Sequence, residues 1–474
     1  MKLTTVAIMA ENCVIGNLTG RFEPELNQST SKKQKIKFDV EDRISRLSDD
    51  VLVSILSCLP IKVAATTSVL SRRWRMVWTF VPRLEFDASS TFLKIRNKTY
   101  GSMRSDIFID SEKVRFVNLV NRFVELCPLP YIDEFRVCFD LDRSHKPDID
   151  KWVKFVFEKK AKRVELDFTR LIGLYPLKRS LYTLCPLSLG LPSSIPLTSL
   201  VLKWVDVSDR VLDNFLSNSP FLECLCVQRS RTLVHVRVAG PSLHLKSLEI
   251  SGCPNLRSLQ VHATNLLSLK YFGPQVEIPF ENVPNLTTLS IGDYPYPPPA
   301  RKLGRILTFF PRLQKLALYI EDAEGLQRRQ HEFPLMSQLK QMELRVSASD
   351  MDSLLFLASW LDACPSLHRL DLDWMWIRLD ATRRIKRGRR IVHHSLKTVE
   401  MTGFVGETVD TELCMFLMES AVFLEKIVVD PNPAYTKGGP FENMDIDPVR
   451  AFAVRKRARH LKSKYDFGDK LVII

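Results

Sequence analysis

Apolar residues in the second half of the chain recur as L-x-x-L-x-L, with conservative swaps. The unit starts at Leu197, Leu222, Leu245, Leu266, Leu286, Leu313, Leu339, Leu367, Leu396 and Leu424, and successive starts lie 20 to 29 residues apart. The last two apolar positions of each unit share one face of a strand, and the first leucine turns the chain into it. One unit alone cannot bury that face, but stacked units can. Two extra copies, Leu233-Val236-Val238 and Leu256-Leu259-Val261, fall midway between neighbours and read as second strands on the outer side of short coils. Longer coils predict a helix there instead. Val211, Leu212, Phe215 and Leu216 have helical spacing, as do Leu303, Ile306, Leu307 and Phe310, and the run from Met351 to Leu361 is similar. Proline stands two residues before the first leucine at Pro220, Pro254, Pro284, Pro311 and Pro365. There it ends the outer helix and launches the next strand. A helical bundle would need neither the strand-period alternation nor the proline-led restarts.

Earlier in the chain the pattern changes. Residues 89–195 are less regular, with two strand-like units, Ile132-x-x-Phe135-x-Val137 and Ala161-x-x-Val164-x-Leu166. Residues 41–88 hold three short helical patterns. Ser48-Asp49-Asp50 opens the first, where the Ser48 side chain is expected to cap free N–H groups and the aspartates suit the positive helix end. Val51, Leu52, Ile55, Leu56 and Leu59 form its apolar stripe, and Pro60 stops it. Lys62 to Leu70 reads as a second short helix, and Ser71 as the cap of a third that carries Trp74 and Trp78 one turn apart. The stripe is wider than so small a unit can bury. Spacing alone leaves two readings open: a bundle docked on its own repeats, or a unit that keeps an apolar face for a partner. Residues 1–40 are rich in Asn, Gln, Ser, Thr and Lys and read as a disordered leader.

Composition changes little. Apolar residues make up 45% of the 474, enough for a core without disulfide or metal staples. The ten cysteines show no CxxC pair and no zinc spacing, which fits reduced thiols and an intracellular location, nucleus or cytoplasm. Met1 to Ala10 is too short and broken an apolar run for a secretory signal, and prolines in the uncharged stretch Ser180–Leu202 argue for a loop feeding a strand rather than a membrane span. The net charge of +14 comes largely from Lys32–Lys37, Arg383–Arg390 and Arg450–Lys464. These read as solvated loops and tails, since no helix-turn-helix, zinc-finger or RNP pattern supports nucleic-acid binding. No HExxH, GxSxG or phosphate-loop motif occurs and the only adjacent histidines are His393-His394, so the chain reads as a non-enzyme with no metal or cofactor.

Three phrases decide the helical segment: Asp42-Arg43-Ile44-Ser45, Ile55-Leu56-Ser57-x-Leu59-Pro60 and Thr67-Ser68-Val69-Leu70-Ser71-Arg72-Arg73-Trp74-Arg75. They resemble an F-box, closely that of the plant F-box/leucine-rich-repeat proteins. Ser48 departs from the family, which has proline there. His394-Ser395-Leu396-Lys397-x-Val399-Glu400, Gly403-Phe404-x-Gly406 and Ala421-x-Phe423-Leu424-Glu425-Lys426-Ile427 resemble the FBD region that ends many of these proteins. The expected architecture is α/β: a small three-helix F-box (41–88), then a curved leucine-rich-repeat solenoid with a parallel sheet on its concave face (89–390), then an FBD-like region with a basic tail (391–474).

The resemblance implies a substrate receptor of an SCF ubiquitin ligase. Its F-box would bind a Skp-family adaptor, and through it a cullin and RING subunit, while the repeats hold a target protein. Adaptor contacts are expected at Leu47, Ser48, Ile55, Leu56, Leu59, Pro60, Leu70 and Trp74. The alternative is an adaptor-independent scaffold with a degenerate F-box. On the concave face the residues between the last two apolar positions are Val201, Cys226, Glu249, Lys270, Ser290, Ala317, Glu343, Asp371, Glu400 and Val428. Glu343, Asp371 and Glu400 would form an acidic ladder, with Phe272 and Tyr319 adding aromatic area, as a groove for a basic or mixed surface of the target. An ordinary wet face, neutralised by Arg345, Arg369 and Lys397, is the competing reading.

Overall fold

The structure is a computed structural model that describes residues 44–88, 105–169, 180–185, 194–239, 244–293 (apart from 264, 275, 277 and 282), 306–320, 333–349, 357–378, 391–432 and 448–474 (apart from 466). The readings of residues 1–40, Asp42-Arg43, Leu303, 351–356 and the basic run at 383–390 lie outside these residues.

Helices α1 (Asp49–Leu56), α2 (Ile61–Thr66) and α3 (Trp74–Val77) come first, joined by 3-10 turns. Strands β1 (Arg83–Asp87), β2 (Glu134–Cys138) and β3 (Arg163–Asp167) follow, with α4 (Ser105–Leu126) and α5 (Lys146–Glu158) between them. Next come β4 (Tyr182–Thr183), β5 (Ser199–Lys203), β6 (Val205–Asp206), α6 (Asp209–Asn218), β7 (Cys224–Gln228), β8 (His235–Ala239) and β9 (Ser247–Ser251). The chain continues through β10 (Ser258–His262), β11 (Ser268–Gly273), β12 (Phe280–Glu281), β13 (Thr288–Asp293), β14 (Lys315–Ile320) and β15 (Gln341–Ser349). It ends with α7 (Leu357–Asp362), β16 (Arg369–Arg378), β17 (Thr398–Thr402), α8 (Thr408–Ser420), β18 (Lys426–Asp430), α9 (Pro448–Lys464) and β19 (Leu471–Ile473).

Fourteen described strands make one parallel sheet in chain order, β1-β2-β3-β5-β7-β9-β11-β13-β14-β15-β16-β17-β18-β19. Each of the ten L-x-x-L-x-L units from Leu197 to Leu424, the two midway copies apart, supplies one of its strands. Along β5 and β9, buried and half-buried residues alternate, so the last two apolar positions face the core and the residue between them faces outward. Each leucine buried this way contributes roughly 1.5–3 kcal/mol before chain entropy is charged. The midway units form β8 and β10, which pair with β12 in a second, three-stranded sheet, as their spacing predicted. Helix α6 buries Val211, Leu212, Phe215 and Leu216.

The proline spacing has a sharper cause than helix termination. The first leucine of a unit donates its N–H to the carbonyl three residues back: Leu222 to Ser219, Leu256 to Cys253, Leu313 to Phe310 and Leu367 to Cys364, at 3.0–3.3 Å. Proline thus occupies the second position of a β-turn, where its fixed φ fits. A second column of backbone bonds runs strand to strand through the residue after that leucine. Glu223 bonds to Thr198, Lys246 to Glu223, Leu267 to Lys246, Thr287 to Leu267, Gln314 to Thr287 and Lys340 to Gln314. The column extends back through Thr198 to Lys162, Arg163 to Asp133 and Asp133 to Pro82. The less regular part of the sequence is therefore in the same stack, and Val81-x-x-Leu84-x-Phe86 begins it, with all three side chains buried.

Both ends of the sheet are covered. At the first, α2 packs on β1, and Trp78 meets Phe123 of α4 with ring centroids 4.7 Å apart, beside a Phe86–Phe123 contact at 5.3 Å. At the other, β19 pairs with β18 and is held by α9. Arg455 donates to the Ile474 carbonyl (2.9 Å) and Lys462 to that of Leu471 (3.0 Å). Residues 450–464, read as a solvated tail, are thus an ordered helix that buries Ala451, Val454, Ala458 and Leu461. No helix among the described residues is long and apolar enough to cross a membrane.

Candidate functional site

The broad apolar stripe of the N-terminal helices divides in two. Leu52 and Leu56 of α1, Ile61, Ala64 and Ala65 of α2, and Trp74, Val77 and Trp78 are buried. Ile55 (45% exposed), Leu59 (39%) and Leu70 (65%) face out, together with Val51, Val63, Val69 and Met76. Val51 and Ile55 are one turn apart and share a helix face. Arg73 clamps the unit shut. Its Nε donates to Asp49 Oδ1 (2.8 Å), and its guanidinium also bonds the Leu47 carbonyl. Ser71 Oγ accepts from the Trp74 N–H at 3.4 Å, as expected of a cap.

The expected adaptor contacts therefore separate. Ile55, Leu59, Pro60, Leu70 and Ser48 are exposed and Leu47 is half-buried, whereas Leu56 (1% exposed) and Trp74 (6%) belong to the core. The last two point inward, into the core of the helical unit, where α1 packs on α3. The expected Ser48 cap is also corrected. Ser48 occupies the N-cap position with extended backbone, but its hydroxyl makes no capping bond; its carbonyl accepts from Leu52 N–H at 3.1 Å. Its φ of −66° is the value proline fixes, so the family residue fits this site.

On the outward face of the sheet, register brings the acidic ladder together. Glu343 pairs with Asp371, and Asp371 with Glu400. Two members are tied down by neighbours. Arg369 bonds Asp371 (2.8 Å) and Glu400 (2.7 Å), and Gln341 bonds Asp371 (2.8 Å). Hydrogen bonding to Asp371 raises the Arg369 pKa, against the opposing effect of burial and with help from Glu400. Arg345 pairs with Asp373 (2.5 Å) and lies 4.8 Å over the Tyr319 ring, while Lys397 pairs with Glu425 outside the ladder. Among the described residues no cation pairs with the Glu343 carboxylate and no group donates a hydrogen bond to it. Near the first strands the face is a self-compensated ladder: Arg136 with Asp87 (2.7 Å) and Glu165 (3.1 Å), and Lys203 with Asp167 (2.9 Å).

Phe272 and Tyr319 also meet, although a whole strand separates them. Both pair in register with Gly292 of β13. Their rings lie 5.2 Å apart because Gly292 has no side chain; a Cβ there would fall 2.5 Å from Tyr319 Cβ and 2.7 Å from Phe272 Cδ2. The sequence signal was a glycine inside a strand pattern, which marks close approach.

The FBD-like motif is built around Asp410, which is fully buried. Its Oδ2 accepts from the N–H groups of Gly406 (2.7 Å), Val405 (3.0 Å) and Glu407 (3.3 Å), and its Oδ1 has no partner among the described residues. Burial pushes its carboxyl up to about 7, against the pull of those three bonds. Gly403 and Gly406 both have φ above +60°, and a Cβ at Gly403 would sit 2.6 Å from the Trp374 carbonyl. His393, half of the only histidine pair, donates through Nε2 to the Cys364 carbonyl (3.0 Å) and accepts at Nδ1 from Leu396 N–H (3.0 Å). It replaces a backbone carbonyl at a repeat turn. Burial raises the thiols of Cys226, Cys253, Cys364 and Cys414, and no group of three metal-ligating side chains occurs among the described residues.

Two family models match the chain: the F-box domain over residues 44–86 and the At1g61320/AtMIF1 LRR domain over residues 134–443. The chain belongs to the plant F-box/leucine-rich-repeat proteins. Relatives from Arabidopsis thaliana agree. Putative F-box/LRR-repeat protein At4g15060 is 29% identical over 70% of this chain and 79% of its own length. F-box/FBD/LRR-repeat protein At5g56420 is 25% identical over 83% and 93%, and putative F-box/FBD/LRR-repeat protein At5g62970 is 28% identical over 80% and 91%. An F-box/LRR protein of this kind mediates protein interaction.

Proposed function

We propose that this F-box/LRR protein is the substrate-recognition subunit of an SCF-type ubiquitin ligase. The outward side of the F-box binds a Skp-family adaptor, and the repeats hold a target protein for ubiquitination. The observation that carries the reading is the division of the F-box. One side is sealed against the first repeat, and the other keeps Ile55, Leu59 and Leu70 in solvent next to Pro60 and Ser48. An exposed patch of large apolar side chains marks a protein-interaction site. Leu56 and Trp74 are buried and in this reading support the fold, with direct contact falling to Leu47, Ser48, Ile55, Leu59, Pro60 and Leu70.

The mechanism is tethering. The F-box is stacked on the repeats through Trp78, Phe86 and Phe123, so adaptor and target are held at a fixed separation rather than on a loose linker. Holding the target near the loaded E2 raises its effective concentration, and the receptor itself makes no bonds. Function of this kind places the protein in the nucleus or cytoplasm, where the ligase works.

Co-migration of the purified chain with a Skp-family adaptor, cullin and RING subunit on gel filtration tests the reading. Wild type is expected to join the assembly. Ile55→Asp and Leu59→Asp are expected to stay out of it while melting at the wild-type temperature. A wild-type chain that never enters the assembly points instead to the adaptor-independent scaffold, which the loss of the family proline at Ser48 would favour.

A further inference from the structure

We propose that the sheet face carries a specificity pocket for one basic side chain, arginine or lysine, in an extended segment of the target protein. The stem would lie on Phe272 and Tyr319 and the cationic head would meet Glu343. This rests on the reading of that face as the target surface and narrows it to one place and one chemistry.

Charge bookkeeping along the register selects the place. Asp371 and Glu400 are held by Arg369, Asp373 by Arg345, and Glu249 by Lys270 at 2.8 Å. Glu343 alone in that neighbourhood is a half-buried carboxylate with no partner among the described residues. Short side chains stand opposite it, although Ala317 is itself buried. Ala317 is opposite Glu343, and Ser290 is opposite Ala317, so no long side chain stands in that row before Lys270. Tyr319 lies two residues after Ala317 on the same strand face. Gly292 lets its ring meet Phe272 at an interplanar angle of 59°, and the tilted pair makes an apolar wall in the register row next to that of Glu343. Arg345 covers one side of Tyr319 but spends its charge on Asp373.

A tilted aromatic pair in the row next to an unpaired carboxylate complements a side chain with an apolar stem and a cationic head. Lysine and arginine bury such stems and keep the head at a polar group. The ring pair adds a favourable field for the cation. A purely apolar side chain would leave Glu343 desolvated and unpaired, and an acidic one would be repelled, so the pocket discriminates as well as binds.

The test uses the full chain without adaptor, so its outcome is independent of the F-box assay. The probes are fluorescein-labelled peptide pools with degenerate Gly, Ala and Ser positions flanking one fixed residue: arginine, lysine, norleucine or glutamate. Anisotropy is expected to show the arginine and lysine pools binding about tenfold tighter than the norleucine pool. Glu343→Gln should remove that ratio while leaving the norleucine pool unchanged. Tyr319→Ala should weaken the arginine and norleucine pools together, and Glu343→Lys should turn the preference toward the glutamate pool. Circular dichroism melts confirm that each variant is folded. Equal binding of the pools by wild type, binding of none, or an arginine-to-norleucine ratio that survives Glu343→Gln overturns the proposal.

Discussion

The two ends of the sheet solve the same problem with opposite surfaces. An open sheet edge exposes unpaired backbone groups and must be covered. At the first end the F-box covers β1 and turns Ile55, Leu59 and Leu70 outward. At the last end α9 and β19 cover β18, and α9 turns Lys456, Arg457, Arg459, His460 and Lys464 outward, with Phe452 the one large exposed apolar side chain along its described face. A cap needs an apolar inner side, and both have one. The outer side of the F-box is mainly apolar, whereas among the described residues of the C-terminal cap only Phe452, Val472 and Ile474 are large, apolar and exposed, among many charged side chains. Capping does not explain that apolar outer side, which the proposed function gives to the adaptor.

The largest effects come from breaking the inner sides. Trp74→Ala should cost about 3–5 kcal/mol of stability and Leu56→Ala about 2–5 kcal/mol, because both leave cavities in a packed unit. Ile55→Asp, on the outer side of the same helix, should change stability by less than about 0.5 kcal/mol. Chemical denaturation of the three variants separates the sides directly, and equal losses would erase the distinction.

Removing Gly468–Ile474 is the matching experiment at the other end. It uncovers the β18 edge and unburies Leu471. A loss of roughly 2–4 kcal/mol is expected, with self-association visible by light scattering, as for a solenoid lacking its cap.

A smaller, pH-dependent effect tests the C-terminal end more finely. The Asp410 carboxyl is at about 7 in the fold and 3.8 when unconstrained. As pH rises from 3.8 to 7 the unfolded chain releases its proton first, so the group costs stability progressively and then levels off. Asp410→Asn keeps an oxygen for the three N–H groups and cannot ionise. Relative to wild type it should gain on the order of a few kcal/mol between pH 4 and pH 7, read from melting temperatures. His393 works the other way. Burial lowers its pKa below 6.5, so its contribution is complete above 6.5 and fades as pH falls toward the lowered value.

The smallest effect is at Ser48. With φ at −66° and no capping bond, Ser48→Pro should stabilise by about 0.4–1 kcal/mol through the unfolded chain. It should also tighten adaptor binding if this position touches the adaptor.

The repeats were legible because each leucine is reported by a two-residue period that only a strand produces, and the turn prolines fixed where each strand begins. The first strand was not, because Val81-x-x-Leu84-x-Phe86 lies inside a segment whose helical spacing dominates the pattern. The outer strands β8 and β10 were legible from the same period as the inner ones. In the F-box the sequence marked every apolar position but not its direction. Leu56 and Ile55 are adjacent and equally apolar, and only packing against α3 and the first repeat decides that one faces in and the other out. On the sheet face the acidic ladder was legible from register, whereas its neutralisation at Asp371 and Glu400 depends on where the Arg369 side chain turns. Gly292 carried its signal in plain view, but its meaning needs the two rings on the flanking strands.

Hydrogen exchange of the full chain with and without a purified Skp-family adaptor tests the central claim most directly, because it reads both caps at once. New protection at residues 49–70, with none across 448–474, is the predicted result. Unchanged exchange at residues 49–70, or protection that appears over the C-terminal cap instead, would contradict it.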